Sequence, residues 1–542
     1  MAGCTAPTAR PPLSAATIDA CLAAAAERDP GGPYLIDSGT TWSFGQIAER
    51  AAATSRRLAG LGVGAGTRVA LWLPNGEPWV TCFFAVARAG ATVVPVGTRL
   101  RTRDLRHILS DSRASVLVYA PHALGVDFDR MVAELRRARA DGELRALRHV
   151  VSVGAGRLPG VVALESVPEG ADPGSAPDPD APVVVCYTSG TTGRPKGCVH
   201  SHRTLVRNGT VAATLTGLAA GERVACPAPF AHVFGFHMGV LQCAIAGAAL
   251  VNAEPYAPDR LLDLAEAHAA TVAYCVPTVA HEALAEQSRR PRRLALRRVL
   301  IAGAPVSASL RRAAIGEGGL APELAVVYGC TEAPTISQLM PDAPEEQLMR
   351  SVGRPTPGVE VRICRAGSSE ELPSGDTGEI LTRGYNRMLG YVGDSEATDR
   401  KHRDGWLVTG DLGCMDELGY LHFVGRADET LVVGGFNVHP RDVEFQLADL
   451  DGVREVAVIG VPDERLGEVP MAWVALEDGT ALDAEALLGW ARANLASYKR
   501  PRYVRVVAEL PRLGSGKVAR VRLTEQARRT LPALPWERLG LR

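Results

Sequence analysis

The sequence predicts a multidomain α/β protein. Its 542 residues exceed the size of one ordinary domain, so two or more folded units are expected. Short apolar runs alternate with helical stretches in the first third of the chain, as in Val69–Leu73 followed by Trp79–Ala89. Such alternation predicts a largely parallel sheet covered by helices. With 46% hydrophobic residues, the chain can fill the cores that this architecture needs.

Composition excludes several classes of protein. The formal net charge of −1 gives no general attraction to nucleic acid or to anionic membranes. Eleven cysteines are scattered without a C-x-x-C pair, so neither a structural zinc site nor a disulfide framework is expected. The N-terminus lacks the pattern of a signal peptide, and no run of about 18 apolar residues occurs. We therefore expect a cytoplasmic protein with no integral membrane segment and no nucleic-acid partner.

The predicted elements follow one another as strands and helices. Helices are expected at Ile18–Glu27, Gly45–Gly60 and Asp483–Asn494. Strands are expected at Ala91–Val96, Val116–Tyr119, Thr271–Pro277, Arg298–Ile301, Val456–Val461, Ala472–Leu476 and Arg502–Val507. Residues 168–182 hold five prolines and four acidic residues, which indicates a surface connector.

A polar loop directly after the apolar run Val183–Cys186 is the strongest candidate for a binding site. It contains glycines and hydroxyl residues in succession: Thr188, Ser189, Gly190, Thr191, Thr192 and Gly193. Glycines let a backbone approach a ligand closely, and Lys196 adds a compact positive charge. This chemistry suits a polyphosphate. The loop is not a Walker A motif, because Pro195 precedes the lysine and Gly197 follows it.

The stretch Tyr187–Leu205 resembles the phosphate-binding segment of the adenylate-forming superfamily, which includes acyl-CoA synthetases, adenylation domains and luciferases. Seven stretches between about residues 187 and 517 resemble motifs of that superfamily and occur in the same order. Within the superfamily, the chain is most similar to the acyl-CoA synthetases. The resemblance implies a large N-terminal domain, residues 1–426, with two helix-covered sheets and a β-rich subdomain. It also implies a small mobile α+β lid domain, residues 427–542, with ATP bound between the two domains.

The resemblance assigns the nucleotide site to several short motifs. In the motif Tyr328-Gly329-Cys330-Thr331-Glu332, the tyrosine would stack on adenine and the threonine would hydrogen-bond the α-phosphate. Glu332 would offer Mg²⁺ a hard oxygen ligand. The small-residue turn Gly303-Ala304-Pro305 would lie against adenine. Two further residues would bind the ribose: Asp411, whose carboxylate can accept from both hydroxyls, and Arg426.

Other motifs would serve the acid and the second substrate. His232, in a P-x-x-x-H-x-x-G segment, would control access to the acid's carboxylate. Asp428 falls on the hinge position, and Gly434 and Gly435 would lie beside the pantetheine tunnel after the lid rotates. Lys517, on a Gly-Ser-Gly tip, would neutralise charge between the acid and the α-phosphate in the first half of the reaction and would be removed from the site by that rotation.

The implied reaction joins a carboxylic acid to ATP as an acyl-adenylate and then transfers the acyl group to CoA. The pocket would be lined by Phe230–His237, Tyr274–Thr278 and Ala302–Pro305, which lack an evident acidic partner for an α-amino group. This disfavours an amino acid and leaves fatty and aryl acids open. Three alternatives also stay open: transfer to a carrier-protein thiol or another nucleophile, adenylation of a different oxyanion, and an inactive nucleotide-binding protein. The sequence does not predict the oligomeric state.

Overall fold

The computed structural model describes residues 15–140, 142–154, 158–173, 176–188, 195–477, 479–513, 517–531 and 534. These residues form two large sheets covered by helices, a five-stranded antiparallel sheet, and a separate five-stranded sheet near the C-terminus. The predicted α/β class, with a large N-terminal domain of several sheets and a smaller C-terminal domain, is confirmed.

The larger of the two helix-covered sheets has nine strands. In sheet order they are Arg354–Pro355, Ala333–Leu339, Glu323–Cys330, Arg298–Ala302, Val272–Cys275, Arg223–Cys226, Ala249–Asn252, Pro33–Asp37 and Thr40–Ser43. From Glu323–Cys330 to Pro33–Asp37 every neighbouring pair is parallel. The carboxyl ends of these strands therefore meet at one edge, where ligands bind in open α/β sheets.

The second helix-covered sheet has eight strands. In sheet order they are Gly390–Tyr391, Gly197–Ser201, Pro182–Tyr187, Thr92–Pro95, Arg68–Trp72, Val116–Tyr119, His149–Ser152 and Val162–Ala163. Pro182–Tyr187 pairs parallel with Thr92–Pro95 and antiparallel with Gly197–Ser201, with Tyr187 opposite Gly197. The predicted phosphate loop therefore closes a hairpin at this end of the sheet.

Helices cover both sheets and join their cores. The α-helices before the C-terminal sheet are Ile18–Arg28, Phe44–Gly60, Glu77–Arg88, Thr102–Asp111, Phe128–Ala140, His202–Thr216, Gln242–Ala246, Pro258–Ala267, Pro277–Arg289, Ala308–Ile315, Glu345–Arg350 and Ser395–Arg400. Short 3₁₀ turns occur at Leu164–Ser166 and Ala427–Glu429, and a π-helix spans Phe234–Leu241. The buried Trp79 ring lies 5.2 Å from Phe83 and 5.5 Å from Phe230, which joins helix Glu77–Arg88 to the segment before the π-helix.

A five-stranded antiparallel sheet follows the two large ones. Its strands are Val359–Cys364, Gly378–Gly384, Trp406–Met415, His402–Arg403 and Leu421–Arg426, and a small separate hairpin pairs His122–Ala123 with Val126–Asp127. Asp411 and Arg426 are directly opposite each other in this sheet. The pairing therefore places the two predicted ribose-binding side chains on the same face.

The C-terminal sheet has a hydrophobic core of its own. Its strands are Phe436–Val438, Leu431–Val433, Gly467–Leu476, Val453–Asp463 and Tyr503–Val507, and its helices are Pro440–Ala448, Ala484–Asn494 and Arg520–Thr530. Buried residues such as Val443, Val458 and Trp473 pack between them. In the described ranges no helix is both long and apolar enough to cross a membrane.

One buried charge cluster holds the helices of this smaller domain to its sheet. Glu444 lies 2.6 Å from the guanidinium of Arg520 and 3.0 Å from that of Arg441, and it accepts a 2.7 Å hydrogen bond from the backbone N–H of Val458. Burial raises the pKa of Glu444, but the two arginines and the N–H outweigh burial and lower it overall. The carboxylate therefore stays charged at neutral pH.

We expect Glu444→Gln to destabilise the C-terminal domain by about 3 kcal/mol, because Arg441 loses its ion-pair partner and Arg520 keeps only Glu429, at 3.3 Å. The free energy of unfolding in urea measures this loss. Since the folded pKa of Glu444 is lowered, its contribution is complete above the unfolded pKa and is lost as pH falls through the folded pKa. The difference in the free energy of unfolding between the parent and Glu444→Gln should therefore become smaller at acidic pH.

The matched control is Glu370→Gln, which removes the carboxylate of an exposed pair with Arg365 at 2.9 Å. Exposed pairs contribute little to stability, so this variant should unfold almost as the parent does. Equal losses from the two substitutions would contradict the importance of the buried cluster.

Candidate active site

The predicted site residues lie at the carboxyl ends of parallel strands. Gly303, Ala304 and Pro305 follow strand Arg298–Ala302, and the segment with His232 follows Arg223–Cys226. Gly303 has a φ of +84°, and a Cβ there would lie 3.5 Å from Val276. This turn therefore packs directly against the residue that follows the neighbouring strand, Val272–Cys275. Separate motifs are thereby gathered at one edge of the nine-stranded sheet.

The ends of the phosphate loop are held together by the hairpin. The backbone N–H of Thr188 donates to the carbonyl of Lys196 at 3.0 Å, and the Lys196 N–H donates to Thr188 Oγ1 at 3.4 Å. Lys196 Nζ lies 5.3 Å from the ring centre of Tyr391 and 4.0 Å from Asp394. The predicted residues Ser189, Gly190, Thr191, Thr192 and Gly193 lie outside the described residues.

Glu332 is a buried carboxylate with a fixed orientation. Its Oε1 accepts a 2.6 Å hydrogen bond from the hydroxyl of Tyr391 and lies 3.7 Å from Lys401 Nζ. Burial raises the pKa of Glu332, but Lys401 and the Tyr391 hydroxyl outweigh this and lower it overall. The group is therefore anionic at neutral pH, and its hard oxygens suit a divalent cation.

The turn that carries Thr331 is attached to the phosphate hairpin. The Nε2 of His200, on strand Gly197–Ser201, lies 2.8 Å from the Thr331 carbonyl. Burial lowers the pKa of His200 to about 4, so the neutral ring donates its N–H to this carbonyl. Gly329 is required here, because a Cβ would lie 2.2 Å from the carbonyl oxygen of Pro334.

Asp411 joins the nucleotide motifs to one another. Its Oδ2 accepts from the Tyr328 hydroxyl at 2.7 Å, and its Oδ1 accepts from Arg426 at 2.8 Å. The Nε of Arg426 donates to Asp428 at 3.1 Å. The Tyr328 ring is buried, with its centre 5.9 Å from that of Phe423. Adenine-site, ribose-site and hinge predictions therefore fall within one hydrogen-bonded group.

The positive charge of Lys517, in the C-terminal domain, acts on His232 in the N-terminal domain. The pKa of His232 is lowered to about 4 by burial first, then by the positive charges of Lys517 and Arg99, so its ring is neutral. Burial lowers the pKa of Lys517 as well, while Asp411 counteracts this effect. The Lys517 residue itself is exposed to solvent, so the protein groups that lower its pKa surround it at the surface rather than in the core.

The predicted glycine pair lies apart from this group of contacts. Gly434 and Gly435 form the turn between Leu431–Val433 and Phe436–Val438, with φ values of +57° and +89°. The N–H of Gly434 donates to the carbonyl of Leu466 at 2.8 Å, and both glycines are exposed. In this conformation the turn contacts its own domain.

Sequence reasoning missed four residues of the site: Asn75, His200, Tyr391 and Lys401. Asn75 lies beyond the carboxyl end of strand Arg68–Trp72, a position that could have indicated a role. Its side chain donates to the Ala228 carbonyl at 2.9 Å and accepts from the Phe230 N–H at 2.7 Å. Tyr391 and Lys401 do not belong to a polar motif that follows an apolar run. No local sequence pattern therefore identifies them as site residues.

Comparisons with known proteins identify the family of this chain. The family model for AMP-binding enzymes matches residues 22–392, and the model for the AMP-binding enzyme C-terminal domain matches residues 442–517. Feruloyl-CoA synthase from an Amycolatopsis species is 35% identical, over 91% of this chain and 95% of its own. A Mycobacterium tuberculosis CoA ligase for a methyl-dioxo-octahydroindenyl propanoate is also 35% identical, over 94% of this chain and 98% of its own.

A solved structure supports the same assignment. The anthranilate CoA ligase AuaEII, in complex with anthranoyl-AMP, superposes with a TM-score of 0.85 at 26% identity, covering 95% of this chain and 98% of its own. The predicted adenylate-forming fold and the predicted acid–CoA ligase activity are thus confirmed. The chain belongs to the AMP-binding enzymes of the adenylate-forming superfamily, as an AMP-forming acid–CoA ligase.

Proposed function

We propose that this chain activates a ring-containing carboxylic acid with Mg²⁺ and ATP and transfers the acyl group to CoA. The observation that carries the proposal is the hydrogen-bonded group of Tyr328, Asp411 and Arg426, together with the electrostatic effect of Lys517, from the C-terminal domain, on His232. These groups are the ones expected to meet adenine, ribose, acid and α-phosphate. This arrangement supports a conformation suited to the first half-reaction.

In that half-reaction the acid's carboxylate attacks the α-phosphate, and pyrophosphate leaves. No side-chain nucleophile is needed, so the residues act through positioning and charge. Lys517 would neutralise charge between the carboxylate and the α-phosphate, while Lys196 and the hydroxyls of Ser189, Thr191 and Thr192 would hold the β- and γ-phosphates. Thr331 would hydrogen-bond the α-phosphate, and the neutral His232 would leave the acid's negative charge to Lys517.

Mg²⁺ fits the residues that are present. Glu332 is buried and anionic, and a single carboxylate completed by phosphate oxygens and water suits this ion. When bound, Mg²⁺ would supply positive charge to the phosphate oxygens. The chain's own part is to orient the Glu332 carboxylate, which the Tyr391 hydroxyl does at 2.6 Å.

In the second half-reaction CoA's thiol displaces AMP. We infer that the C-terminal domain, from about residue 427, turns about Asp428, removes Lys517 and brings Gly434 and Gly435 to a pantetheine tunnel. The exposed glycine turn and the short 3₁₀ element at Ala427–Glu429 are compatible with such a rotation. Two conformations would let one cleft serve both steps.

The wall of the acyl pocket supports an acid with a ring. The rings of Phe234 and Tyr274 lie 6.3 Å apart, and the Tyr274 hydroxyl is turned away to Gln242 at 2.6 Å. The partly exposed Phe234 therefore offers a ring face where an aromatic or alicyclic group can pack. Both relatives and the solved ligase named above act on ring-containing acids, which favours the same class here.

Transfer to a carrier-protein thiol remains the second candidate for the acceptor, since the adenylation residues would be the same. A cytoplasmic location belongs to the proposal too, and the free thiols of the ten cysteines within the described ranges support it. No nucleic-acid partner is proposed.

The first experiment is ATP–pyrophosphate exchange with fatty, aryl, alicyclic and amino acids, together with AMP release with and without CoA. We expect exchange to be strongest with aryl or alicyclic acids, and CoA to accelerate AMP release. Exchange without a CoA effect would move the acceptor to a carrier protein. Exchange only with amino acids, or with no acid, would contradict the proposal.

Lys517→Ala should slow adenylation by about 100- to 1,000-fold, because one charge-stabilising group is lost at the α-phosphate. Thioester formation from a supplied acyl-adenylate should be largely spared. Single-turnover assays of the two halves measure both. Asp428→Pro is the counterpart: it stiffens the hinge and should mainly impair thioester formation. Equal losses in both halves for Lys517→Ala would exclude the role given to it.

Asn75→Ala should lower kcat/KM for the acid by about 10- to 100-fold while leaving the KM for ATP unchanged, since two hydrogen bonds that fix the backbone before His232 are lost. Steady-state kinetics against each substrate give the comparison. Asn75→Asp keeps the acceptor for the Phe230 N–H but loses the donor to the Ala228 carbonyl. Its kcat/KM for the acid should therefore lie between the values of the parent and of Asn75→Ala. A parallel change toward ATP would show a general folding defect instead.

A further inference from the structure

Lys401 places a fixed positive charge at the carboxylate that we assign to Mg²⁺. Its Nζ lies 3.7 Å from Glu332 Oε1 and donates to the carbonyls of Val408 at 3.2 Å and Thr409 at 3.1 Å. The side chain is only 23% exposed, so it has little freedom to point into solvent. Neither composition nor motif spacing identifies this lysine.

The backbone around Lys401 is as constrained as its side chain. Lys401 is the C-cap residue of helix Ser395–Arg400, and its N–H donates to the Ala397 carbonyl at 3.2 Å. Its carbonyl accepts a 2.8 Å hydrogen bond from the N–H of Val408. Main chain and side chain thus both bind strand Trp406–Met415, and the ammonium cannot leave Glu332 without breaking these contacts.

A resident cation changes what the carboxylate can bind. A divalent ion at Glu332 would share the carboxylate with the Lys401 ammonium group. The two cations would then lie close together in a partly buried site, where like charges repel strongly. The triphosphate of ATP brings several negative charges to the same place and offsets that repulsion. Divalent cations should therefore bind weakly before the nucleotide and firmly with it.

We propose that Lys401 is a positioning residue that acts as the built-in counter-cation of Glu332 and makes divalent-cation binding depend on the nucleotide. The inference rests on the metal-binding role proposed for Glu332. A purely structural role, in which Lys401 only ties helix Ser395–Arg400 to strand Trp406–Met415, predicts lower stability but no change in metal affinity.

The test is Mn²⁺ binding followed by electron paramagnetic resonance, without nucleotide and with a non-hydrolysable ATP analogue. Lys401→Met, which keeps the length of the side chain but not its charge, should bind Mn²⁺ about tenfold more tightly than the parent without nucleotide. With the analogue, the difference should shrink to about twofold or less, because phosphate charge then dominates. Lys401→Arg retains the charge and should behave as the parent does.

Combining the variant with Glu332→Gln assigns the effect to this carboxylate. In the double variant the gain in Mn²⁺ affinity should vanish. Equal Mn²⁺ affinity of the parent and Lys401→Met, or a gain that persists in the double variant, would overturn the proposal. If Lys401→Met fails to fold, Lys401→Gln supplies an uncharged donor for the two carbonyls and should give the same gain.

The failure of the underlying assignment has a different result. If Glu332→Gln alone leaves Mn²⁺ binding with the nucleotide analogue unchanged, then Glu332 is not a metal ligand. If Glu332→Gln weakens that binding while Lys401→Met leaves Mn²⁺ affinity without nucleotide unchanged, the metal site stands and the role of Lys401 is wrong. The half-saturating Mg²⁺ concentration in ATP–pyrophosphate exchange, where ATP is bound, should accordingly differ by about twofold or less between the parent and Lys401→Met.

Discussion

The ion pair between Asp411 and Arg426 is the interaction on which the site depends. Asp411 is only 5% exposed, and a carboxylate taken out of water must be compensated by a partner and by hydrogen bonds. Arg426 provides the charge at 2.8 Å, and Tyr328 provides the hydrogen bond at 2.7 Å. Because Arg426 also binds Asp428, the carboxylate predicted to bind the ribose and the proposed hinge share one guanidinium. The position of each is therefore set by the other.

The two sheets make this arrangement possible by ending in the same place. Parallel strands present their carboxyl ends at one edge, and short loops there hold side chains on a rigid base. The phosphate hairpin belongs to the other sheet, and His200 joins it to the Thr331 turn at 2.8 Å. The neutral state of His200 matters here, since a charged ring would oppose the cation expected at the neighbouring Glu332. Burial, which lowers its pKa to about 4, ensures that state.

Much of this could be predicted from sequence because the motifs are local. An apolar run followed by polar residues, as at Tyr328–Glu332, indicates both a strand and the functional turn after it. Thr271–Pro277 was predicted as one strand, but the strand ends at Cys275 and a helix begins at Pro277, a residue suited to the first helical turn. The π-helix Phe234–Leu241 carries no such local pattern. Tyr391 and Lys401 reach Glu332 only through tertiary packing, which periodicity does not record.

These tertiary contacts arrange charge in alternating order from the phosphate loop toward the hinge. The sequence of signs is positive at Lys196, negative at Glu332, positive at Lys401, negative at Asp411, positive at Arg426 and negative at Asp428. Tyr391 bridges the first two, and the Thr409 carbonyl accepts from both Lys401 and Arg426. Binding of a polyphosphate beside Lys196, or its departure as pyrophosphate, would change the electrostatic potential at the charged side chains that follow, from Glu332 to Asp428. The proposed hinge at Asp428 would therefore experience the departure of pyrophosphate as a change in charge, which would give a physical reason for the proposed rotation to follow the first half-reaction.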